Sequence, residues 1–320
     1  MEPQRPVNFQ KYNILWLAVK PANEFARQVF DIISHMTPTT PTLLAVLAHP
    51  DDESFGMGGT LALYSRRGVQ THLICATRGE AGEVEAQYLE GFKSIAERRE
   101  SELRCAAGIL GLAGVYFLDY RDSGMTGSPD NQHPNALAAQ PVEAVAGKVA
   151  RLIRQIKPQV VVTFDPIGGY KHPDHIAIHQ ATVLAFRLAA DSDFECELPP
   201  FQPQKLYFHT ISKAFLRISV LVLRLLGKDP RHFGRNGDID LQAIVSEGNF
   251  PAHARIDCQA VMEAKNAAAQ CHASQLGGAL PRRGLVARLT RRAAYTETFM
   301  RAVPEAGRGV RVEDLFEGVV

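Results

Sequence analysis

Cysteine is scarce in this 320-residue chain, and its placement carries no recognisable pattern. The five cysteines are scattered, and no pair has the CxxC spacing. The sequence therefore predicts neither a disulfide framework nor a cysteine-based zinc site. A reducing compartment fits this usage best, so we expect a cytoplasmic protein.

Long apolar runs are also missing. The nearest candidate, Ala214–Gly227, is interrupted by Arg217 and Arg224, whereas a membrane span needs about 18 continuous apolar residues. The two arginines share one helical face, so we expect an amphipathic helix packed on the protein body and no membrane span. The N-terminus lacks the basic and then apolar layout of a secretory signal.

Net charge and phosphate-binding loops are absent as well. Lys and Arg number 35 against 34 Asp and Glu, which gives a formal charge of +1. Binding to nucleic acid through bulk charge is therefore not expected. Gly56, Gly58 and Gly59 belong to no GxGxxG or GKS/T string, and they equally permit close packing of a helix on a strand.

What the chain does contain is an alternation of strand and helix patterns. Residues 1 to about 40 form an N-terminal extension, and residues 41–320 form one domain. Short apolar runs such as "TLLAVLA" and "PQVVVTF" predict buried strands, separated by helical stretches such as "SIAERRESELRCAAGILG". This order predicts an α/β fold with a Rossmann-like, doubly wound, mostly parallel sheet. The alternation weakens after about residue 200, where we expect a less regular C-terminal cap region.

Polar clusters follow two of these predicted strands. "AHPDDE" ends the first, and "FDPIGGYKHPDHIAIH" ends another more than 100 residues later. Ligands of doubly wound sheets bind beyond the carboxyl ends of the strands. The two clusters are therefore expected to meet in one site.

The residue types in these clusters suit a metal ion. A catalytic zinc takes three protein ligands and a water, and histidine and carboxylate are ordinary ligands. His49 and Asp52 offer two, and "HPDH" offers a third from His172, Asp174 or His175. Either string alone is more often a polar loop or a helix cap, but their joint occurrence favours a metal site.

A cation would also explain the crowding of acidic side chains in "AHPDDE". Asp51, Asp52 and Glu53 are consecutive, and a divalent cation offsets their mutual repulsion. One aspartate can then ligate the metal while its neighbour remains free as a base.

Together the motifs resemble the PIG-L (LmbE-like) zinc deacetylases. The matching stretches are "AHPDDE", "GMGGTLALYSRRG", "TRGEAGE", "RRESELRCAAGILG", "DYRDSGMTGS", "FDPIGGYKHPDH" and "CHASQ". They run in the family's order from about Leu43 to Gln275. The resemblance implies an enzyme that removes acetyl groups from N-acetylglucosaminyl conjugates. "RDSGMTGSPDNQHP" is similar to the actinobacterial branch that acts on mycothiol precursors and conjugates.

The same resemblance implies a role for each motif residue. His49, Asp52 and His175 correspond to the ligands of one Zn²⁺ per chain, with Fe²⁺ as an alternative because these donors suit both. Asp51 corresponds to the general base. His172 would stand protonated beside the developing oxyanion.

Further roles follow for the residues around this centre. Asp174 would orient and charge the oxyanion-stabilising histidine, and Tyr170 corresponds to a mobile tyrosine that polarises the carbonyl. Arg99, Asp122 and Glu80 match positions that contact the sugar.

Structural alternatives exist for several of these residues. Asp174 can simply cap the helix that begins there, and Tyr170 can brace the glycine loop. Arg99 can pair with Glu102 on the same helical face. His179 is either a structural histidine or a group that supports the site, and we expect His272 to support the site wall.

Three other functions are compatible with parts of the pattern. A mycothiol-conjugate-type amidase would cleave a larger amide at the same site, and a non-catalytic protein would only bind a sugar or nucleotide. A metal-dependent phosphoesterase would usually need a second metal cluster, which the remaining acids do not form. In each case the expected partner is a small molecule, and a homo-oligomer is compatible with the sequence.

Overall fold

The computed structural model describes residues 40–211, 213–233, 237, 239–247, 250–276, 295–307 and 309–320. The predicted N-terminal extension lies outside these residues, apart from Thr40. Its boundary with the following domain therefore stays a prediction.

A seven-stranded sheet forms the centre of the described chain. Its strands are β1 (Thr42–Leu47), β2 (Gln70–Thr77), β3 (Gly114–Tyr120), β4 (Val160–Phe164), β5 (Lys205–Thr210), β6 (Ala254–Asp257) and β7 (Thr296–Val303). They lie in the order β3-β2-β1-β4-β5-β7-β6. Strands β1 to β5 pair in parallel, whereas β7 is antiparallel to β5 and to β6. The predicted α/β fold with a mostly parallel sheet is confirmed.

Helices cover the sheet in two groups. They are α1 (Asp52–Arg66), α2 (Ile95–Leu110), α3 (Val142–Ile156), α4 (Gly168–Lys171), α5 (Pro173–Leu188), α6 (Lys213–Leu225), α7 (Leu241–Glu247) and α8 (Met262–Cys271). Helices α1, α2 and α8 pack together, and α3 packs on α5. From β1 the chain adds β2 and β3 towards one edge of the sheet, and it then adds β4 and β5 on the other side of β1. Because crossovers between parallel strands are right-handed, the helices of these two halves lie on opposite faces.

The reversal creates a switch point between β1 and β4, which are adjacent and fully buried. Strands buried on both faces are expected to be continuously apolar, as the runs TLLAVL and VVVTF are. Their carboxyl ends open side by side at one edge of the sheet. The loops that follow them carry the two predicted polar clusters.

The cap expected after residue 200 stays a prediction, but part of this region belongs to the sheet. Strands β6 and β7 extend the sheet, and β7 runs antiparallel to both of its neighbours, β5 and β6. Helix α6 is amphipathic as predicted: Leu216 and Leu223 on its inner face pack with Leu241 and Ile244 of α7. Within the described part of the chain, no helix is long and apolar enough to cross a membrane.

A disulfide joins Cys105 of α2 to Cys271 at the end of α8. This differs from the sequence prediction, which found no disulfide pattern. The two residues are 166 positions apart and meet because α2 and α8 pack together. Local spacing could not reveal a pair that only the tertiary fold creates.

Candidate active site

Three predicted metal ligands converge where β1 and β4 end. His49 Nδ1 lies 3.2 Å from His175 Nε2 and 3.6 Å from Asp52 Oδ2. The second carboxylate oxygen of Asp52 is 3.3 Å from His175 Nε2. Tetrahedral ligands of zinc are about 3.3–3.5 Å apart, given zinc–ligand distances near 2.0–2.2 Å. Each histidine contacts a different oxygen of Asp52, and these separations are of the size expected between ligands of one metal ion.

The outer nitrogens of both imidazoles are held by acceptors. His49 Nε2 lies 3.1 Å from Asp174 Oδ2, and His175 Nδ1 lies 3.2 Å from the carbonyl oxygen of Gly168. These contacts assign the N–H groups to the outer nitrogens, as is usual for metal-binding histidines. The two facing nitrogens can then share only a cation, either a proton or a metal ion.

The surrounding charges also favour a cation. Burial alone acts to lower the pKa of His49, but the carboxylates of Asp122, Asp174 and Asp52 raise this pKa well above its ordinary value. Burial acts to raise the pKa of Asp52, yet His175 and His49 hold it well below its usual range. A site that stabilises protonated imidazole beside ionised carboxylate also stabilises a divalent metal.

Two other sets of donor atoms lie close enough to hold a metal among the described residues. One is His49, His172 and His175, and the other is His49, Asp122 and Asp174. In the second set, both oxygens of Asp174 already accept hydrogen bonds from Ser123. This arrangement suits Asp174 to orienting His49 better than to binding a metal.

Asp174 differs from its predicted role. It was expected to orient His172, but its carboxylate contacts His49 and Ser123. Only its backbone N–H reaches His172, where it donates to Nδ1 over 3.2 Å. The cap of α5 is therefore the His172 side chain, which accepts from Asp174, and the alternative of Asp174 as the capping side chain is wrong.

The surroundings of His172 favour a neutral ring over the predicted imidazolium. Burial lowers its pKa to about 2, helped by the positive charges of His49 and His175. Its Nδ1 accepts the Asp174 N–H, so the neutral ring carries its proton on Nε2. A neutral imidazole of this kind donates a hydrogen bond without adding a charge.

Asp51 lies beside the metal ligands but is held by different partners. Its φ of 131° is rare for a residue other than glycine and indicates local strain. Arg99 Nη2 donates to its Oδ2 over 3.1 Å, and its side chain is 19% exposed. Burial raises the pKa of Asp51 to about 6, and the guanidinium of Arg99 limits the rise. A carboxylate with this pKa accepts protons readily near neutral pH.

Arg99 itself is buried, and its guanidinium has three oxygen partners. It donates to the carbonyl oxygens of Gly79 and Pro50 and to Asp51. The alternative pair with Glu102 is wrong, because Glu102 accepts from Arg98 and from the Ser274 segment instead.

A cavity of about 340 Å³ opens onto these side chains. Asp51, Arg99, Asp122, Tyr170 and His172 contribute to its wall. Its size lies in the range of small-molecule sites.

Tyr170 is half-buried between this cavity and the α6/α7 cluster. Its ring centroid is 5.0 Å from that of His175 and 6.0 Å from that of His172. Its side chain also packs against the cluster of Leu216, Leu223, Leu241 and Ile244. Burial raises its pKa, so the hydroxyl keeps its proton and can donate.

Of the predicted sugar contacts, Asp122 lies at the cavity, whereas Glu80 contacts the main chain of Asp122. The carboxylate of Asp122 faces the cavity, 3.4 Å from His49 Nε2. The carboxylate of Glu80 accepts the backbone N–H of Asp122 over 3.0 Å. Glu80 therefore stabilises the loop of Asp122 through this backbone hydrogen bond.

Sequence reasoning missed the contributions of Ser123 and Glu53. Ser123 donates twice to Asp174 and lies inside the quoted "RDSGM" motif. Glu53 belongs to "AHPDDE" and receives a hydrogen bond from His272 of "CHASQ". Membership of a motif was the available signal, but the partners are distant in sequence.

Two structural interpretations agree with the geometry. His179 Nδ1 lies 2.8 Å from the carbonyl oxygen of Phe164, whose ring stacks on His175 at 3.9 Å. His179 therefore supports the end of β4. At Gly59, an added Cβ would lie 2.6 Å from Cys258, so this glycine permits close packing.

Comparison with known proteins gives the family of the chain. Residues 44–186 match the family model PIG-L: GlcNAc-PI de-N-acetylase. A 1D-myo-inositol 2-acetamido-2-deoxy-alpha-D-glucopyranoside deacetylase of Streptomyces avermitilis is 36% identical over 288 residues, which cover 87% of this chain and 97% of the relative. The chain belongs to the PIG-L family. A protein of the same name from Acidothermus cellulolyticus is 36% identical over 297 residues, covering 87% and 95%.

Solved structures share the PIG-L fold at lower identity. The N,N'-diacetylchitobiose deacetylase of Pyrococcus horikoshii has a TM-score of 0.55 at 19% identity, covering 89% of this chain and 94% of its own. The 4-carboxy-2-hydroxymuconate hydratase GalB of Pseudomonas putida has a TM-score of 0.54 at 19% identity, covering 84% and 99%. Because a hydratase shares the fold, the reaction has to be argued from the site.

Proposed function

We propose that this PIG-L protein is a zinc-dependent deacetylase that hydrolyses the acetamido group of an N-acetylglucosaminyl conjugate. The convergence of His49 Nδ1, His175 Nε2 and Asp52 beside the carboxylate of Asp51 carries the proposal. The curated relatives support the substrate class, since they are named as deacetylases of an acetamido-glucopyranosyl inositol. The residues that would serve as ligands and as base lie together here, which favours an enzyme over a protein that only binds.

The metal centre would be held by His49, Asp52 and His175. Their donor set suits Zn²⁺ and also Fe²⁺. The bound cation would lower the pKa of a water molecule to about 7 and withdraw electron density from the amide carbonyl. The chain's own contribution is the orientation of the ligands: Asp174 fixes His49, and the Gly168 carbonyl fixes His175.

Asp51 would act as the general base. Its carboxylate faces the cavity next to the ligand Asp52, and its pKa near 6 leaves it ionised at neutral pH. It accepts the proton released when water adds to the acetamido carbon. The departing amine nitrogen then receives that proton as the C–N bond breaks, leaving acetate and the free amino sugar.

His172 and Tyr170 would stabilise the negative charge that develops on the carbonyl oxygen. Both lie on the cavity wall, and each is suited to donate one hydrogen bond from a neutral group. A donor of this kind contributes about 3–4 kcal/mol to lowering the barrier. Neutral donors gain strength here because the site is largely buried.

The sugar would be held by Asp122 and Arg99, with Glu80 acting through the Asp122 backbone. Asp122 and Arg99 line the cavity, and a carboxylate with a guanidinium can bind adjacent sugar hydroxyls from both sides. Glu80 fixes the loop through the Asp122 N–H.

We also propose that the protein works in the cytoplasm, where a small-molecule amino sugar conjugate would meet it. Disulfides are uncommon in that compartment, so the Cys105–Cys271 bond makes this proposal open to test. Cell fractionation gives the location, and thiol alkylation during lysis gives the state of the two cysteines.

Activity is tested with metal-defined protein and a panel of N-acetylated sugars. The panel contains an N-acetylglucosaminyl inositol, N,N'-diacetylchitobiose and free N-acetylglucosamine, and acetate and primary amine are both measured. We expect equal amounts of both products, loss of turnover after chelation, and recovery with Zn²⁺. Absence of product from every substrate in the presence of Zn²⁺ or Fe²⁺ would rule the proposal out.

A further inference from the structure

The pair formed by Glu53 and His272 is buried behind the proposed base. Neither side chain has any exposed surface, and 219 residues separate them. His272 Nε2 donates to Glu53 Oε1 over 2.7 Å. Hydrogen bonds to an ionised acceptor are about twice as strong as neutral ones.

The other oxygen of Glu53 contacts the main chain of Asp51. Glu53 Oε2 accepts the Asp51 N–H over 3.0 Å. Asp51 has the strained φ of 131°, which persists only if neighbouring contacts hold it. Glu53 therefore holds the N–H side of the peptide between Pro50 and Asp51, while Arg99 holds its carbonyl side.

We propose that His272 is a positioning residue: through Glu53 it holds the Asp51 main chain in the conformation that points the carboxylate into the cavity. This inference rests on the proposed function, in which Asp51 is the base. His272 does not line the cavity, so its effect would be exerted through Glu53.

The segment that carries His272 is anchored independently. Cys271 is joined to Cys105 of α2, and Ser274 donates twice to Glu102 of the same helix. Helix α2 also carries Arg99, which holds the Asp51 side chain. The main chain and the side chain of Asp51 are thus both positioned from α2, one of them by way of His272 and Glu53.

The charge state is consistent with this contact. Burial acts to lower the pKa of His272, but the Glu53 carboxylate raises it above its ordinary value. Nδ1 of His272 has no hydrogen-bond partner in the described part of the chain. The hydrogen bond to Glu53 is therefore the contact that sets the ring's orientation.

A purely structural ion pair is the competing explanation, and substitutions separate the two. His272→Gln keeps an N–H donor near the position of Nε2, whereas His272→Leu removes it. Tyr64→Phe serves as a control for stability, because Tyr64 lies on α1 and its buried hydroxyl bonds Asp314 and Leu315 away from the cavity. Each variant is assayed for kcat, KM, bound zinc and Tm.

We expect His272→Leu to lower kcat by about 10- to 100-fold, with KM and zinc content near those of the unmodified protein. His272→Gln should recover most of kcat. Tyr64→Phe should lower Tm and leave kcat unchanged. Equal losses in the leucine and glutamine variants, or a loss of kcat in Tyr64→Phe of the same size, would overturn the inference.

Crystal structures of the variants provide a readout that does not require turnover. In His272→Leu, we expect the φ of Asp51 to leave its positive value and the carboxylate to turn from the cavity. In His272→Gln, both should be retained. An unchanged Asp51 in the leucine variant contradicts the inference even if the unmodified protein is inactive, and inactivity of the unmodified protein contradicts only the proposed function.

Discussion

Arg99 Nη2 lies 3.1 Å from Asp51 Oδ2. The guanidinium reaches the carboxylate from α2, and it also donates to the carbonyl oxygen of Pro50, directly before Asp51. Arg99, a proposed sugar contact, therefore also holds the proposed base Asp51.

Arg99→Met should lower kcat and raise KM. The loss of kcat follows because Asp51 loses the cation that limits its pKa and fixes its direction, and the rise in KM follows from the lost sugar contact. We expect each parameter to change by about tenfold. Steady-state kinetics separates the two effects. A change in KM alone would contradict the proposed role of Arg99 at Asp51, and a change in kcat alone would contradict its proposed contact with the sugar.

Asp51→Asn and Asp52→Asn should have different effects although the residues are adjacent. Asp51→Asn removes the base and should lower kcat by roughly 10²- to 10⁴-fold with zinc still bound. Asp52→Asn should lose both zinc and turnover. Elemental analysis beside kinetics makes the comparison, and zinc loss in the Asp51 variant would mean that base and ligand are exchanged.

Asp174→Asn should weaken metal binding without removing a ligand. Asp174 accepts from His49 Nε2, and loss of such a support costs about 10- to 100-fold in metal affinity or activity. Chelator competition measures the affinity for Zn²⁺. If the affinity is unchanged, the orienting role of Asp174 is wrong.

Removal of the Cys105–Cys271 disulfide should destabilise the fold. The double variant Cys105→Ser, Cys271→Ser is expected to lose about 2–4 kcal/mol of unfolding free energy, because the bond closes a long loop in the unfolded chain. Urea unfolding measures this value. The oxidised protein should show three reactive thiols after denaturation, and five would contradict the bond.

The Glu297 carboxylate should contribute to the free energy of unfolding in a way that depends on pH. Its buried carboxylate accepts from Gly59 N–H, Thr60 N–H and Lys265 Nζ. Burial acts to raise its pKa, but Lys265 lowers the pKa below the ordinary value. The stabilisation is therefore fully present above the unfolded pKa of about 4.3 and lost as the pH falls through the lower folded value.

Glu297→Gln tests this contribution. Urea midpoints of the variant and the unmodified protein should differ most at neutral pH, and the difference should shrink below about pH 4. A difference that stays constant from neutral pH to pH 3 would contradict the assignment.

The parallel half of the fold was predictable because its strands are short and entirely apolar. β1 and β4 read as such from the sequence, and their order with the helices indicated a doubly wound sheet. β7 was missed since its sequence, TETFMRAV, mixes polar and apolar residues. β7 lies inside the sheet between β5 and β6 and is antiparallel to both, so no βαβ crossover pattern marks it.

The site was predictable at the level of motifs and less so at the level of contacts. Motif resemblance brought His49 and His175 together, and they lie 3.2 Å apart. It assigned Asp174 to His172, whereas the fold turns that carboxylate towards His49 and Ser123. The partner of the Asp174 carboxylate depends on the direction of its side chain in the first turn of α5, and the spacing of residues in the motif does not define that direction.

Anomalous diffraction at the zinc absorption edge, from crystals of the zinc-loaded protein, tests the central claim most directly. We predict a single peak about 2.0–2.2 Å from His49 Nδ1, His175 Nε2 and one oxygen of Asp52, with no oxygen of Asp51 at that distance. A peak on the other side of the ring, between His49 Nε2, Asp122 and Asp174, would contradict the account.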